Sequence, residues 1–433
     1  MAGNAVAQRD AQDMAKSKPP RRKARKRSPA SNLVALKAQV KERLAVKDHA
    51  GMLALLRPLM AAGIGNEQVF HDAAIAALAL EKYADAAGYA RKAIALSPNA
   101  FTHYDALSHA AGGMRDWDTV QTAGYTALSL RDAAVPDRPP VDFPLATPSP
   151  DASLDIISFS LFGGNSKYCE TAVLNCEEQP EIYPNWRCRF HVDDTVPADI
   201  LQRIRQAGGD VTFVSPAMLD WPAPMWRFAA LDDPHVRRVI FRDADSVISS
   251  REAGAVAEWI AEGQAFHAMR DSGSHTELLL AGLWGAKAGA LPSMHALISD
   301  FLRASVANAH FADQLFLRNY VWPYARRDIL QHDSLFGFGK ARPFPEGPHR
   351  DDFHTGYAEG SPVLNISTRQ PEGRKVHWYL VDRRVTPHRL ICRYPAFVAQ
   401  GHVTANIPAR FARLIPTGEV SAHVELPLET SAE

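Results

Sequence analysis

The 433-residue chain carries no net charge, since Lys and Arg together number 48 and so do Asp and Glu. A neutral balance gives no global charge that argues for nucleic acid or an acidic partner, so no nucleic-acid partner is expected. Cysteine is scarce: four residues, Cys169, Cys176, Cys188 and Cys392, with no CxxC pair. That excludes a disulfide framework and points to reduced thiols in a cytosolic protein. No apolar run approaches the roughly 20 residues that span a bilayer. The N-terminus lacks the apolar core of a secretory signal, so export is not expected. The expected location is therefore cytoplasmic.

Residues 1–31 contain "KSKPPRRKARKRSP" and no cluster of large apolar side chains, which predicts a disordered basic tail. Such a tail either solubilises the chain or holds it weakly to a partner or to anionic lipid, peripheral to the inner membrane, at about 1 kcal/mol per basic residue.

Residues 32–134 are rich in Ala and Leu with helical periodicity. "EKYADAAGYARKAIALSP" and "RDWDTVQTAGYTALSLRD" align at a 34-residue period, pairing Tyr83 with Trp117, Ala90 with Gly124, Ala93 with Ala127 and Leu96 with Leu130. A poorer copy, "KDHAGMLALLRPLMAAG", puts His49 in the same register. The aromatic and small-residue pattern resembles tetratricopeptide repeats, in which small residues let two helices approach and the aromatic wedges between units. The two expectations are that the repeats cap a neighbouring domain or that they display a groove for a protein partner. "VPDRPPVDFPLATPSPDA" (135–152) reads as a linker, because proline at this density fits neither helix nor central strand.

Beyond the linker, residues 153–433 are expected to form one α/β domain with a less regular, β-rich extension from about 345 onward. Apolar strands alternate with helices, which predicts a mostly parallel sheet covered on both faces. Polar residues follow the strands: Gly163 after "LDIISFSLFG", Asp193-Asp194 after "RCRFHVDD", Asp243 and Asp245 in "RRVIFRDAD", and Arg270-Asp271 after "AFHAMRD". In such sheets ligands collect at the carboxyl ends of strands. The glycines of "SFSLFGGNSKY" do not make a GxGxxG fingerprint, which disfavours a nicotinamide enzyme.

Two carboxylates one residue apart at a buried strand end repel each other unless a cation joins them. A divalent ion is the economical solution, since Mg²⁺ and Mn²⁺ prefer oxygen ligands and share them with substrate phosphates. "MWRFAALDDPHVRRVIFRDADSVI" (225–248) resembles the central segment of GT-A fold glycosyltransferases. "FRDADSVISSREAGAVAEWIAEGQAFHAMRDSGSHTELLLAGLWG" is similar to a bacterial group within that class, and the resemblance spans roughly residues 153–400. It implies a GT-A-like, Rossmann-like sheet, a nucleotide-sugar donor linked to UDP or GDP, Mn²⁺ or Mg²⁺ on its diphosphate, and a glycan or protein acceptor such as a cell-envelope polysaccharide. Asp245 matches the direct metal ligand and Asp243 a contact to ribose or metal. His332 in "ILQHDSLFGFGKARPF" corresponds to a third ligand of several families, with Asp333 as the alternative, and Lys340 would meet phosphate. Phe159, Gly163, Tyr168 and Asp193 would meet nucleoside or ribose. Arg227 matches a donor-binding arginine. Arg242 is either the charge partner of the acids or a diphosphate contact.

For the chemistry, Asp313 and Gln314 in "HFADQLFL" match a pair placed beside the anomeric carbon, and Asp271 lies where acceptor and sugar hydroxyls would meet. Either Asp313 or Asp271 could supply the general base of inverting transfer; Gln314 or Asp313 would stand behind the anomeric carbon in retaining transfer. "AGLWG" (281–285) would wall the sugar pocket, with Trp284 against a sugar face or in the core. The rival readings are a phosphatase whose first Asp is the nucleophile, and a non-catalytic repeat scaffold carrying a degenerate transferase domain.

Overall fold

The computed structural model describes residues 29–304, 312–345 and 354–426. Most of the basic tail, residues 1–28, therefore lies outside the described residues. The chain divides into two compact units, Met1–Gly65 and Asn66–Glu433.

The first unit contains α1 (Pro29–Ala45) and α2 (His49–Ala61). Asp48 caps α2 by accepting from Gly51 N at 2.8 Å and pairs with Arg43.

The second unit begins with α3 (Glu67–Ala79), α4 (Tyr83–Leu96), α5 (Phe101–Gly113) and α6 (Trp117–Ala134). Their contact faces are mostly alanine, with Ala74, Ala77, Ala86, Ala90, Ala106 and Ala110 buried together. The 34-residue period is written in the backbone as well as in the side chains. Lys47, Glu81 and Arg115 all have positive φ, between 56° and 60°, and the next residue in each case stands at the N-cap position of the following helix, where Asp48 and Asp116 accept a backbone N–H and Lys82 does not. This region is an all-α, tetratricopeptide-like array, as the repeat implied.

A seven-stranded sheet follows. Its strands are β1 (Leu154–Leu161), β2 (Arg187–Val192), β3 (Asp210–Phe213), β4 (Val236–Phe241), β5 (Phe266–Arg270), β6 (Trp284–Lys287) and β7 (Ile329–Asp333), in the order β3-β2-β1-β4-β6-β5-β7. All pairings are parallel except those of β6, which runs antiparallel between β4 and β5. The class is the expected one in its architecture: α/β, with a mostly parallel sheet covered on both faces.

Alternation along the strands divides two cores. Ile156, Val239 and Phe241 face one core, together with Phe228, Leu297, Phe301 and Phe316. Ile157, Phe159 and Ile240 face the other, with Cys169, Ala172 and Val256. The helices supplying these cores include α7 (Ser166–Ile182), α8 (Ala198–Gln206), α9 (Ser250–Glu262), α10 (Met294–Ala304) and α11 (Ala312–Phe316). "PMWRFAALDD" is a 3₁₀ segment, Ala223–Asp232, rather than the expected α-helix.

The "AGLWG" wall is corrected by β6. Trp284 is fully buried and stacked on Phe241 at 4.3 Å, so it belongs to the core and not to a sugar pocket. The sheet rim is correspondingly interrupted, because β6 separates the carboxyl end of β4 from that of β5.

After the sheet come β8 (Val363–Ser367), β9 (Lys375–Asp382), β10 (Arg389–Phe397), β11 (His402–Asn406) and β12 (Val420–Glu425). They do not extend the main sheet. They form a separate three-stranded antiparallel sheet, β10-β9-β12, and a pair, β11-β8. Trp378, Leu380 and Tyr394 pack into the same core as Cys169 and Ala172.

Helices α5 and α6 are docked on the sheet domain. Ala111, Val120 and Leu128 share its first core with Phe336. Arg131, 4% exposed, donates to Thr276 O at 2.6 Å and pairs with Asp105 and Glu277. Ser108 Oγ donates to Gly273 O at 2.7 Å. Gly112 and Gly273 approach so closely that a Cβ on Gly273 would meet Ser108 O at 2.9 Å. Of the two expected roles, capping a neighbouring domain is the one this contact displays.

Burial leaves several histidines neutral. It pushes His191 down to about 3 and holds His267, His275 and His332 below the ordinary imidazole value of 6.5. Such groups bind protons more readily unfolded, so their stabilisation is complete above 6.5 and is lost as pH falls below it. Glu252, raised by burial to about 7, works the other way between 4.5 and 7, but as one group against seven histidines, since His71, His103 and His109 are lowered by burial too. The urea midpoint followed by circular dichroism is expected to fall from pH 7 to pH 5, each neutral histidine contributing up to about 1.4 kcal/mol per pH unit. A flat profile would contradict the neutral assignments.

Candidate functional site

The last three residues of β4, 239–241, are apolar because the strand is central and buried on both faces there, and it ends where the backbone turns out of the sheet at Arg242. The turn is tied to α7. Thr171 Oγ1 donates to Ala244 O, Asn175 Nδ2 donates to Ser246 O at 2.8 Å, and Ile248 N donates to Asn175 Oδ1 at 3.0 Å. Asp243 and Asp245 are thereby presented on one rim beside the first turn of α7.

The charges are balanced by two cations of the protein itself. Arg227, only 3% exposed, donates through Nη1 to Asp243 Oδ1 at 2.6 Å and to Arg242 O at 2.9 Å. Its Nη2 reaches Asp313 Oδ2 at 3.3 Å. Lys167 Nζ lies 2.8 Å from Asp245 Oδ2 and 5.0 Å from the centre of the Tyr168 ring. Burial works against the Lys167 ammonium, but the hydrogen bond and charge of Asp245 outweigh it and hold its pKa above the ordinary lysine value.

Asp243, Asp245, Asp313, Arg227, Tyr168 and Phe162 line one cavity of about 430 Å³ at the carboxyl ends of β1 and β4. Asp243 is half-exposed there, whereas Asp245 and Asp313 are mostly covered. Gly282 presses on the site from β6's leading loop: a Cβ there would meet Asp243 Oδ2 at 2.2 Å, so only glycine lets that carboxylate keep its place.

Other expected residues are placed differently. Phe159 is buried and stacked on Phe190 at 4.6 Å, a core contact without access to a nucleoside. Arg242 is fully buried and pairs with buried Glu252 at 2.8 Å while donating to Gly282 O. It is neither the partner of the two aspartates nor open to a diphosphate. Asp271 is also fully buried, its carboxylate held by Arg251 at 2.8 and 2.9 Å and by Thr355 N at 3.0 Å. With both oxygens taken and no exposure, it cannot meet an acceptor hydroxyl.

Gln314 faces the backbone of the 279–281 segment. With its amide turned to satisfy both atoms, it donates to Leu279 O at 3.0 Å and accepts from Ala281 N at 2.9 Å. Asp193 accepts from Thr195 N and Oγ1, and Gly163 N donates to Thr195 Oγ1 at 2.6 Å. The pair therefore shapes the loop beside the cavity without lining it. Gly163 has φ of +71°, which suits glycine. Lys340 is exposed on the turn after β7 and does not line the cavity.

His332 is not joined to the two aspartates. Its Nδ1 shares a hydrogen bond with His267 Nε2 at 2.9 Å and its Nε2 one with Glu258 at 3.0 Å, so both ring nitrogens are engaged. Asp333 accepts from Leu335 N and Phe336 N as a turn cap. Among the described residues no group of three or more His, Cys, Asp or Glu side chains is placed to hold a metal ion. The expected three-ligand set of Asp243, Asp245 and His332 is thus not assembled.

Lys167 escaped the sequence reading, although a signal was present. It is the second residue of α7, where the positive end of the helix dipole disfavours a cation and carboxylates are usual.

No protein-family model matches the chain, and no curated protein matches it in sequence. Among solved structures, part of the chain is similar to the tetratricopeptide domain of Sgt2 from Aspergillus fumigatus, at 20% identity and TM-score 0.22, covering 24% of this chain and 67% of that one. A second likeness is to an O-GlcNAc transferase mutant from Thermobaculum terrenum, at 14% identity and TM-score 0.24, covering 49% of this chain and only 50% of that one. A third is to glucosyl-3-phosphoglycerate synthase from Mycobacterium tuberculosis, solved with Mn²⁺, UDP-glucose and phosphoglyceric acid, at 13% identity and TM-score 0.25, covering 45% of this chain and 78% of that one.

Proposed function

We propose that the chain is a metal-dependent glycosyltransferase that moves a sugar from a UDP- or GDP-linked donor to a glycan or protein acceptor. The observation that carries this reading is the convergence of Asp243, Asp245 and Asp313 with Arg227 on one cavity at the carboxyl rim of the sheet.

The donor set fits an open metal site. Mg²⁺ and Mn²⁺ are commonly held by one or two carboxylates and complete their shells with water and substrate phosphates. Asp243 and Asp245 supply that minimum, and no third protein ligand is required. When bound, the ion would offset the negative charge that develops on the leaving diphosphate. Arg227 holds Asp243 and Asp313 in a fixed relation, and its own burial keeps it from swinging away. Tyr168 and Phe162 offer partly exposed rings for the nucleoside at the cavity mouth. Asp313 is the catalytic carboxylate of this proposal, since it lines the cavity and Asp271 does not.

The domain division proposed with this function places the repeats at 32–134, the linker at 135–152 and the transferase domain from 153 onward. The site of action proposed is the cytoplasm, with a cell-envelope glycan among the acceptors, a partner on the free face of the repeats, and the basic tail at an anionic membrane surface. No helix among the described residues is long and apolar enough to cross a membrane.

The test is binding of UDP and GDP followed by thermal shift, with Mn²⁺ or with EDTA. Wild type is expected to be stabilised by one nucleotide only when Mn²⁺ is present. Asp245→Asn is expected to lose that shift, by tenfold or more in affinity, while its circular dichroism spectrum is unchanged. Equal binding by the variant, or no nucleotide binding by the wild type, would sink the reading; a scaffold gives the second result.

A further inference from the structure

Lys167 is an unusual counter-ion. It sits in the first turn of a 17-residue helix, against the dipole, and its charge is directed to one carboxylate oxygen of Asp245. The backbones of both partners are immobilised. Asp245 O accepts from Gly360 N at 3.0 Å, and Gly360 is wedged so tightly that a Cβ would overlap Lys167 O. Thr171 fastens the same helix turn to Ala244. What can rearrange is the end of the lysine side chain, a compact charge on a flexible stem, 25% exposed. Arg227 has no such freedom, because it is buried and bonded to Asp243, Asp313 and a backbone carbonyl.

An ammonium and a divalent ion cannot share that Asp245 oxygen without mutual repulsion. We propose that Lys167 is the resident cation of Asp245, displaced by the metal and then paired with the donor's phosphates, so that metal and diphosphate bind cooperatively. This inference rests on the donor-site reading above. Metal entering alone strands a partly buried ammonium beside it. Diphosphate entering alone draws Lys167 away and leaves the Asp245 carboxylate uncompensated beside it, since Arg227 stays on Asp243. Entering together, each relieves the other, and the coupling must be reciprocal.

The experiment measures Mn²⁺ affinity by loss of its free paramagnetic resonance signal, with the full-length protein alone and with saturating UDP, for wild type, Lys167→Met and Lys167→Arg. UDP affinity at saturating Mn²⁺ is measured in parallel by calorimetry. Wild type is expected to bind Mn²⁺ at least about tenfold more tightly with UDP. Lys167→Met is expected to bind Mn²⁺ alone about tenfold more tightly than wild type, to lose most of the UDP-dependent gain, and to bind UDP about tenfold more weakly. Lys167→Arg should keep the wild-type pattern. If Lys167→Met binds Mn²⁺ alone no better than wild type, or binds UDP equally well, the lysine exchange is overturned while the donor-site reading stands. If no form binds Mn²⁺ even with UDP, both fall together, and Asp245→Asn will then be indistinguishable from wild type.

Discussion

Replacing Arg242 with methionine is expected to lower the unfolding free energy by about 3 kcal/mol, measured by urea denaturation at pH 7. The arginine and Glu252 are both fully buried and 2.8 Å apart. Removing one partner leaves the other charge in a medium that cannot solvate it, which typically costs about 3–5 kcal/mol. The lower end applies here because burial has already raised Glu252 to about 7, so a proton can replace the lost guanidinium. Further loss comes from Gly282 O, which accepts from Arg242 Nη1 at 3.0 Å. Arg242→Met combined with Glu252→Leu is expected to recover much of the deficit, since a matched apolar pair needs no charge compensation. Were Arg242 instead a diphosphate contact, the single variant would keep its stability and lose only donor affinity.

Arg227→Met is expected to keep the fold and to lower donor turnover on the order of 10²-fold, measured as Mn²⁺-dependent release of UDP or GDP from the accepted donor. Among the described residues the guanidinium is the one group that touches both Asp243 and Asp313. Without it two carboxylates face one cavity with nothing between them, repel, and move apart. A displacement of about 1 Å is enough for a loss of that size. Arg227→Lys should not rescue, because an ammonium cannot span two carboxylates in the forked geometry of a guanidinium. Turnover within threefold of wild type would remove Arg227 from the site.

The two sets of residues, those that met at the cavity and those that did not, differ in what had to be known. Asp243, Asp245 and Tyr168 follow apolar strands or open a helix, so strand ends alone put them on the rim. Arg242 and Asp271 follow strands just as closely, yet each is buried by a partner on α9, Glu252 or Arg251. Alternation assigns a side chain to a face of the sheet, but a helix laid over that face decides whether it meets solvent or a counter-charge. His332 illustrates the same limit, since its partners Glu258 and His267 lie more than 60 residues away in the chain. β6 was missed because it is short, glycine-containing and antiparallel in a parallel sheet. Lys167 was missed because its significance lies in a partner 78 residues on, although its place in a helix's first turn was visible.

By itself the sequence determined the repeat period, the alternation that makes a doubly covered sheet, and the position of the two aspartates at the end of a buried strand. Those features are local: they depend on side-chain periodicity and on the spacing of turn residues, which any short window of chain contains. Only the tertiary structure decided which charges are spent on one another inside the fold and which remain open to a ligand. A charge buried away from water must find its opposite, and that opposite is chosen by packing between elements distant in the chain.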